Sequence, residues 1–266
     1  MRANLSKRRK AMTPKELRAK IAKGEFSRPT AGECPGYIQM NMVALPRQYA
    51  EGFEAFAKAN SKAIPVLEIV KEGHHTKILA DRADLLTEIP KYNILREGVL
   101  VETVKDITPY YTPDLVFFLI GCSFSFETAL IENGMPLRHV DMQKNVAMYN
   151  TNVRLTPVEG FEGEMVVSMR PIKREKVADA YEVTGHFPQM HGAPIHSGTP
   201  ESIGIGDITR PDYGDPIEIK EGEVPLFWPC GVTPQNVITK MKLPFAITHA
   251  PGHMFVTDRK DSEYYE

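Results

Sequence analysis

VPLFWPCGVTPQNVITKMKLPFAITHAPGHMFVTD, residues 224 to 258, holds two chemically dense runs around one short structural unit. Val224 to Trp228 is hydrophobic and predicts a buried strand. Thr233 is expected as an N-cap with Pro234 at the first helical position, and Val237, Ile238 and Met241 supply the apolar stripe of a helix. Phe245 to Thr248 predicts a second strand. In a β-α-β unit of this kind, loops at the strand ends gather polar groups over a helix N-terminus, whose free N–H groups and dipole attract anions. Cys230, Thr233, Gln235, His249, His253 and Asp258 all fall on those loops or strand ends, so function is expected there.

An earlier run has the same grammar. Leu115 to Ile120 is continuously apolar and ends in GCSFSFE (121–127) before a helix-like TALIENG. Gly121 lets backbone approach a ligand, Ser123 or Ser125 is expected to cap the helix, and Glu127 falls in its first turn. Two such turns predict one composite site.

The rest of the chain sets the frame. Thr13-Pro14-Lys15-Glu16 is a capping box that opens a helix with Leu17 and Ile21 inward and Gly24 as its stop. A second helix is expected after Pro46, from the spacing of Tyr49, Phe53 and Phe56, and a strand over 64–70. Strand–helix alternation up to residue 127 predicts a layered α/β main domain, residues 1–126 and 225–266. Between them, 127–224 lacks that alternation, with strands at 147–155 and 165–171 and a helix at 174–181. It is expected to form a smaller inserted α+β domain, with the site in the cleft between the two.

Composition narrows the function classes. The 266 residues carry 42% hydrophobic and 25% charged side chains and a formal net charge of −2, ordinary for a globular protein and no electrostatic reason to bind nucleic acid or an anionic membrane. No apolar run approaches the roughly 20 residues of a membrane-spanning helix, and KRRK (7–10) has no apolar segment behind it, so a cytoplasmic location is expected. Three cysteines without C-x-x-C spacing indicate neither a disulfide framework nor a thiolate zinc site. His186, His191 and His196 stand five apart in a Pro-broken segment, which predicts a loop over the cleft rather than a metal centre. His249 and His253 are four apart, but Pro251 and Gly252 forbid the helix a zinc-binding pair would need, so proton transfer suits them better. No dinucleotide fingerprint, phosphate loop or nucleophile elbow occurs, so no organic cofactor is expected; a loosely held divalent ion and homo-oligomerisation are left open.

GCSFSFE, RPTAG (28–32), MYNTN (148–152), WPCGVTPQ (228–235) and HAPGHMFVTD (249–258) together resemble the D-glutamate cyclase family, whose bacterial members carry a general hydro-lyase label. The resemblance covers about Arg28 to Asp258. It implies cyclisation of D-glutamate to 5-oxo-D-proline with loss of water, on a small carboxylate substrate. Dehydration of another hydroxy acid, or carboxylate binding without turnover, are the alternatives.

That chemistry needs a carboxylate clamp, a base for the ammonium, an acid for the departing oxygen and donors for the oxyanion. His249 and His253 are the expected proton-transfer groups, with Glu127 or Asp258 as the second group or as the orienter of a histidine. Arg28 is expected to clamp a carboxylate, and Ser123, Ser125, Asn150, Asn152, Cys230, Thr233 and Gln235 to contact substrate.

Overall fold

A computed structural model describes residues 12–266, so the basic 7–10 run lies outside the described residues. The capping box forms as expected: Thr13 accepts the Glu16 N–H while the Glu16 carboxylate takes the Thr13 N–H, and helix α1 (Pro14–Ala22) buries Leu17 and Ile21. Strand β1 (Tyr37–Pro46) and helix α2 (Arg47–Ala59) follow, then β2 (Val66–Val70), β3 (Tyr92–Arg96), β4 (Val99–Val104) and β5 (Leu115–Gly121). A 3-10 turn leads into α3 (Glu127–Glu132), followed by α4 (Arg138–Asp141), β6 (Ala147–Arg154), β7 (Glu164–Lys173), α5 (Val177–Gly185) and β8 (His196–Ser197). The chain closes with β9 (Glu223–Pro229), α6 (Thr233–Met241), β10 (Phe245–His249) and β11 (Phe255–Lys260).

The protein is a mixed α/β chain, as its alternation predicts, but its two sheets are antiparallel throughout. The larger runs β2-β5-β1-β10-β3-β4 with β11 also on β1, and the smaller runs β6-β7-β9-β8. The expected β-α-β unit at 224–249 is therefore not one sheet crossover. Strand β9 pairs with β7 in the smaller sheet, whereas β10 pairs with β1 and β3 in the larger, and α6 carries the chain between them. Nor does alternation hold over 71–114: the described residues there include no α-helix, because the apolar Leu79, Leu85, Leu86 and Ile89 enter the core from successive turns.

Continuous hydrophobicity in β5 has a simple cause, since the larger sheet is buried on both faces around β1 and β5, while its edge strand β4 is exposed. Met40, Met42, Phe117 and Leu119 face one core together with Leu226 and Trp228, while Val43, Leu45, Phe118 and Ile120 face the other with Tyr149, Met169 and Phe227. Each fully buried large apolar side chain contributes about 1.5–3 kcal/mol. Both cores thus draw on each side of the boundaries expected at 126/127 and 224/225, and β9 extends the smaller sheet beyond 127–224.

Two partners share one edge of β1. β11 pairs with its start, Tyr37 to Met40, and β10 with Val43 and Ala44. The HAPGH turn between β10 and β11 is thereby held against the middle of β1, where Gln39 and Asn41 are buried polar residues.

Candidate active site

Strand β7 reads MVVSMRP and is buried along almost its whole length, so Arg170, fully buried, requires a counter-charge. Glu127 at the start of α3 supplies it. Arg170 donates to Glu127 Oε1 from Nη2 at 2.6 Å and from Nε at 3.0 Å, and its remaining donors reach Ser123 Oγ at 3.0 Å and Ser168 Oγ at 3.1 Å. The guanidinium lies 5.5 Å from the Phe126 ring centroid and 5.4 Å from that of Trp228, which adds cation–π attraction in a dry setting. On the same carboxylate oxygen, His139 Nε2 stands at 2.9 Å. Burial by itself would raise the Glu127 carboxyl, but the neighbouring His139 and Arg170 outweigh it and hold it below the usual carboxylate range.

A second set of buried polar groups adjoins this one. The RPTAG run docks on the HAPGH turn: Thr30 N–H donates to Gly252 O at 2.9 Å, and Thr30 Oγ1 accepts the Met254 N–H at 3.1 Å. Gly252 has φ of +81°, and a Cβ there would lie 2.2 Å from Asn145 Oδ1, so only glycine permits this turn beside residue 145. Gln39 Nε2 holds the carbonyls of Thr30 and Glu33, and Gln235 Nε2 holds that of His249 at 2.7 Å. Yet Gln39 Oε1, Glu127 Oε2, Asn145 Oδ1, His249 Nε2 and His253 Nε2 are all buried without a protein partner. Each such buried group calls for a partner from water or from a ligand.

A cleft of about 780 Å³ borders this region at His139, walled by Arg28, Pro29, Ala31 and Gly32 of the RPTAG run with Lys20, Glu33 and Lys144. Lys20, Arg28 and Lys144 against Glu33 give its wall a cationic balance suited to a carboxylate. A larger cleft, about 860 Å³, runs beside α2 and β2, but no residue of the five runs lines it and its walls are mainly apolar. The chemistry therefore favours the smaller cleft.

One compact cluster ties the five sequence runs together. Cys122 and Phe124, Met148, Cys230 and Val232, and Met254 pack with Val146 and Val166, and Ala31 of RPTAG packs against them. The D-glutamate cyclase family model matches residues 116–258. The chain belongs to the D-glutamate cyclase family. A Cupriavidus pinatubonensis relative named "Putative hydro-lyase" is 53% identical over 239 residues, 89% of this chain and 88% of its own. "Putative hydro-lyase YcsI" of Bacillus subtilis is 51% identical over 251 residues, 94% and 98% of the two chains. A nitrogen repressor-like protein of Methanococcus jannaschii aligns over 95% of the chain, but with a TM-score of 0.37 and 11% identity it bears on neither fold nor function.

Within this D-glutamate cyclase family chain, the expected site residues divide. Ser123 and Glu127 meet through Arg170, and Arg28, paired with Glu33, stands on the cleft wall. Neither serine caps a helix: Cys122 Sγ accepts the Phe124 N–H, and Ser125 Oγ bonds the backbone of Gln39 in β1. Thr233 is not the N-cap either. It is the first residue of α6, and its hydroxyl is spent on Cys230 O at 2.7 Å and on Val166. Cys230 is buried, which pushes its thiol up to about 11, unsuited to a thiolate at neutral pH. Asn150 and Asn152 lie on β6, the first taking its backbone contact from Asp212 and the second packed on Gly204. Asp258 is paired with Arg18 of α1 at 3.0 Å and also accepts the Asp81 N–H.

The histidines also separate. His249 is fully buried, its Nδ1 set against the Met42 backbone at 3.2 Å, and burial depresses it to about 4. His253 is likewise depressed by burial, with Nδ1 3.0 Å from Pro251 O. His186, His191 and His196 each spend a ring nitrogen on a different carbonyl, those of Glu266, Lys62 and Thr199. Two members of the central network, His139 and Arg170, were absent from the sequence expectation. A lone arginine in an otherwise apolar strand was the available signal for one; His139 had none.

Proposed function

We propose that this protein is a lyase that removes water from a small amino or carboxylic acid, and that its reaction is the cyclisation of D-glutamate to 5-oxo-D-proline. In that reaction the α-amine nitrogen bonds to the γ-carboxyl carbon, a C–O bond breaks, and the oxygen leaves as water with two protons, balancing the two that the ammonium gives up. The observation that carries the reading is the His139–Glu127–Arg170 chain at the wall of a cationic cleft built on the RPTAG run.

In the neutral tautomer that donates Nε2–H to Glu127, the other ring nitrogen of His139 carries the lone pair that a general base for the substrate ammonium requires. Glu127 fixes the tautomer and stabilises the imidazolium formed, and Arg170 keeps that carboxylate ionised. The same imidazolium then returns a proton to the departing oxygen. Arg28 and Lys144 suit the α-carboxylate, and His253 on the adjoining turn suits a further hydrogen bond to substrate. The reading invokes no organic cofactor.

Chiral chromatography of 5-oxoproline from D- and L-glutamate tests it. Product is expected from the D form in preference, and His139→Gln, which keeps a donor toward Glu127, is expected to lower turnover by about a hundredfold or more. If folded protein yields no product but small acids raise its Tm, the carboxylate-binding reading or another dehydration substrate takes its place.

A further inference from the structure

The connection from β2 to β3, residues 71–91, is long and lacks helix or strand of its own beyond one isolated bridge, a length at which irregular segments in compact proteins usually carry a function or a clamp. The bridge is antiparallel between His75 and Asp84, which sets those two residues opposite each other and on one face. His74 turns back to the same place: its Nδ1 stands 2.9 Å from Asp84 Oδ1, and its ring centroid is 4.2 Å from that of His75. One donor atom from each of the three lies within 4.8 Å of the other two, and they are the one group of three such ligands among the described residues.

We propose that His74, His75 and Asp84 bind a single divalent transition-metal ion of the zinc class, which clips the 71–91 connection into a closed loop. Two imidazoles and one carboxylate form a donor set that suits zinc or cobalt better than the all-oxygen preference of magnesium or calcium. A tetrahedral ion at about 2.0–2.1 Å from each donor wants them about 3.4 Å apart, so the His74–Asp84 pair opens by only about half an ångström to admit it. Asp84 has no lysine or arginine ion pair among the described residues, so the metal displaces no competing cation. Its turn contacts, from the Leu86 N–H at 2.8 Å and the Thr87 hydroxyl at 3.2 Å, already fix the carboxylate's direction. All three groups are half-buried, leaving solvent to complete the coordination.

The full-length protein, stripped with a chelator and desalted, is titrated with Zn²⁺ by calorimetry and with Co²⁺ by visible absorption. One equivalent per chain, tetrahedral cobalt d–d bands, and slower amide exchange within 71–91 on zinc addition are expected. His75→Gln and Asp84→Asn, which conserves the turn acceptor, should each weaken zinc by on the order of a hundredfold or more, beyond what loss of an outer-shell partner costs. Circular dichroism of the metal-free variants separates loss of the site from loss of the fold. Absence of stoichiometric binding to the wild type, or binding unchanged in both variants, would overturn the proposal. None of these readouts depends on glutamate turnover, so failure here leaves the proposed reaction standing, and the reverse also holds.

Discussion

Replacing Glu127 by Gln leaves the shape of its site intact and removes one charge. Arg170 then becomes a fully buried cation whose nearest partners are a neutral amide, two hydroxyls and two aromatic faces. Breaking a buried pair from one side costs about 3–5 kcal/mol, because the surviving charge has neither water nor counter-ion. For a chain of this size that corresponds to a fall in Tm on the order of 10 °C. Urea unfolding at neutral pH with linear extrapolation measures it. Two further results follow from the same physics. The double variant Glu127→Leu with Arg170→Met, which removes both charges and keeps volume, should recover much of the loss. The pair should also govern acid stability. The folded Glu127 carboxyl lies below its ordinary 4.5, so its contribution is complete above pH 4.5 and is lost as pH falls from there through the folded value. Glu127→Gln should lack that part of the pH dependence. A cost under about 1 kcal/mol for the single variant, or a double variant worse than the single, would refute the picture of a dry, mutually dependent pair.

His249, neutral in the fold because burial lowers it to about 4 from 6.5, binds its proton more readily when unfolded. Stability should therefore decline as pH falls from 6.5 toward 4, by up to about 3 kcal/mol from this group, and His249→Asn should flatten that part of a urea-midpoint profile against pH. Gly231→Ala would bring a Cβ to 1.9 Å from Asn41 Nδ2, a side chain already fixed on the Gly121 carbonyl at 2.7 Å, so a loss of about 1–3 kcal/mol is expected in the same unfolding assay. Cys230, with its thiol raised to about 11 by burial, should react with an aromatic disulfide reagent only after unfolding, and Cys230→Ser should keep most turnover; a covalent substrate adduct on Cys230 in mass spectra would show the opposite.

Local and periodic signals were sufficient for much of the chain. The capping box at Thr13, the helix after Pro46, the doubly buried Leu115–Ile120 strand and the strands expected at 147–155, 224–228 and 245–248, which form as β6, β9 and β10, all follow from side-chain spacing and short-range hydrogen bonding. Burial on both faces is legible too, since a strand with no polar alternation has no face to offer water. The five dense runs, far apart in sequence, do share one packed cluster.

Pairing between distant strands was not legible, because an antiparallel ladder bonds backbone to backbone and leaves no mark on which partner a strand selects. That is why β9 and β10, close in sequence and bridged by α6, belong to different sheets. The buried Arg170 network was hidden in the same way. Arg170 declared in sequence only that it needed a counter-ion, and tertiary packing chose Glu127, 43 positions away, then added His139 to the same oxygen. It also set Asp258 on Arg18 and confined His249 to a buried neutral form, outcomes of desolvation and long-range charge pairing that no local pattern contains.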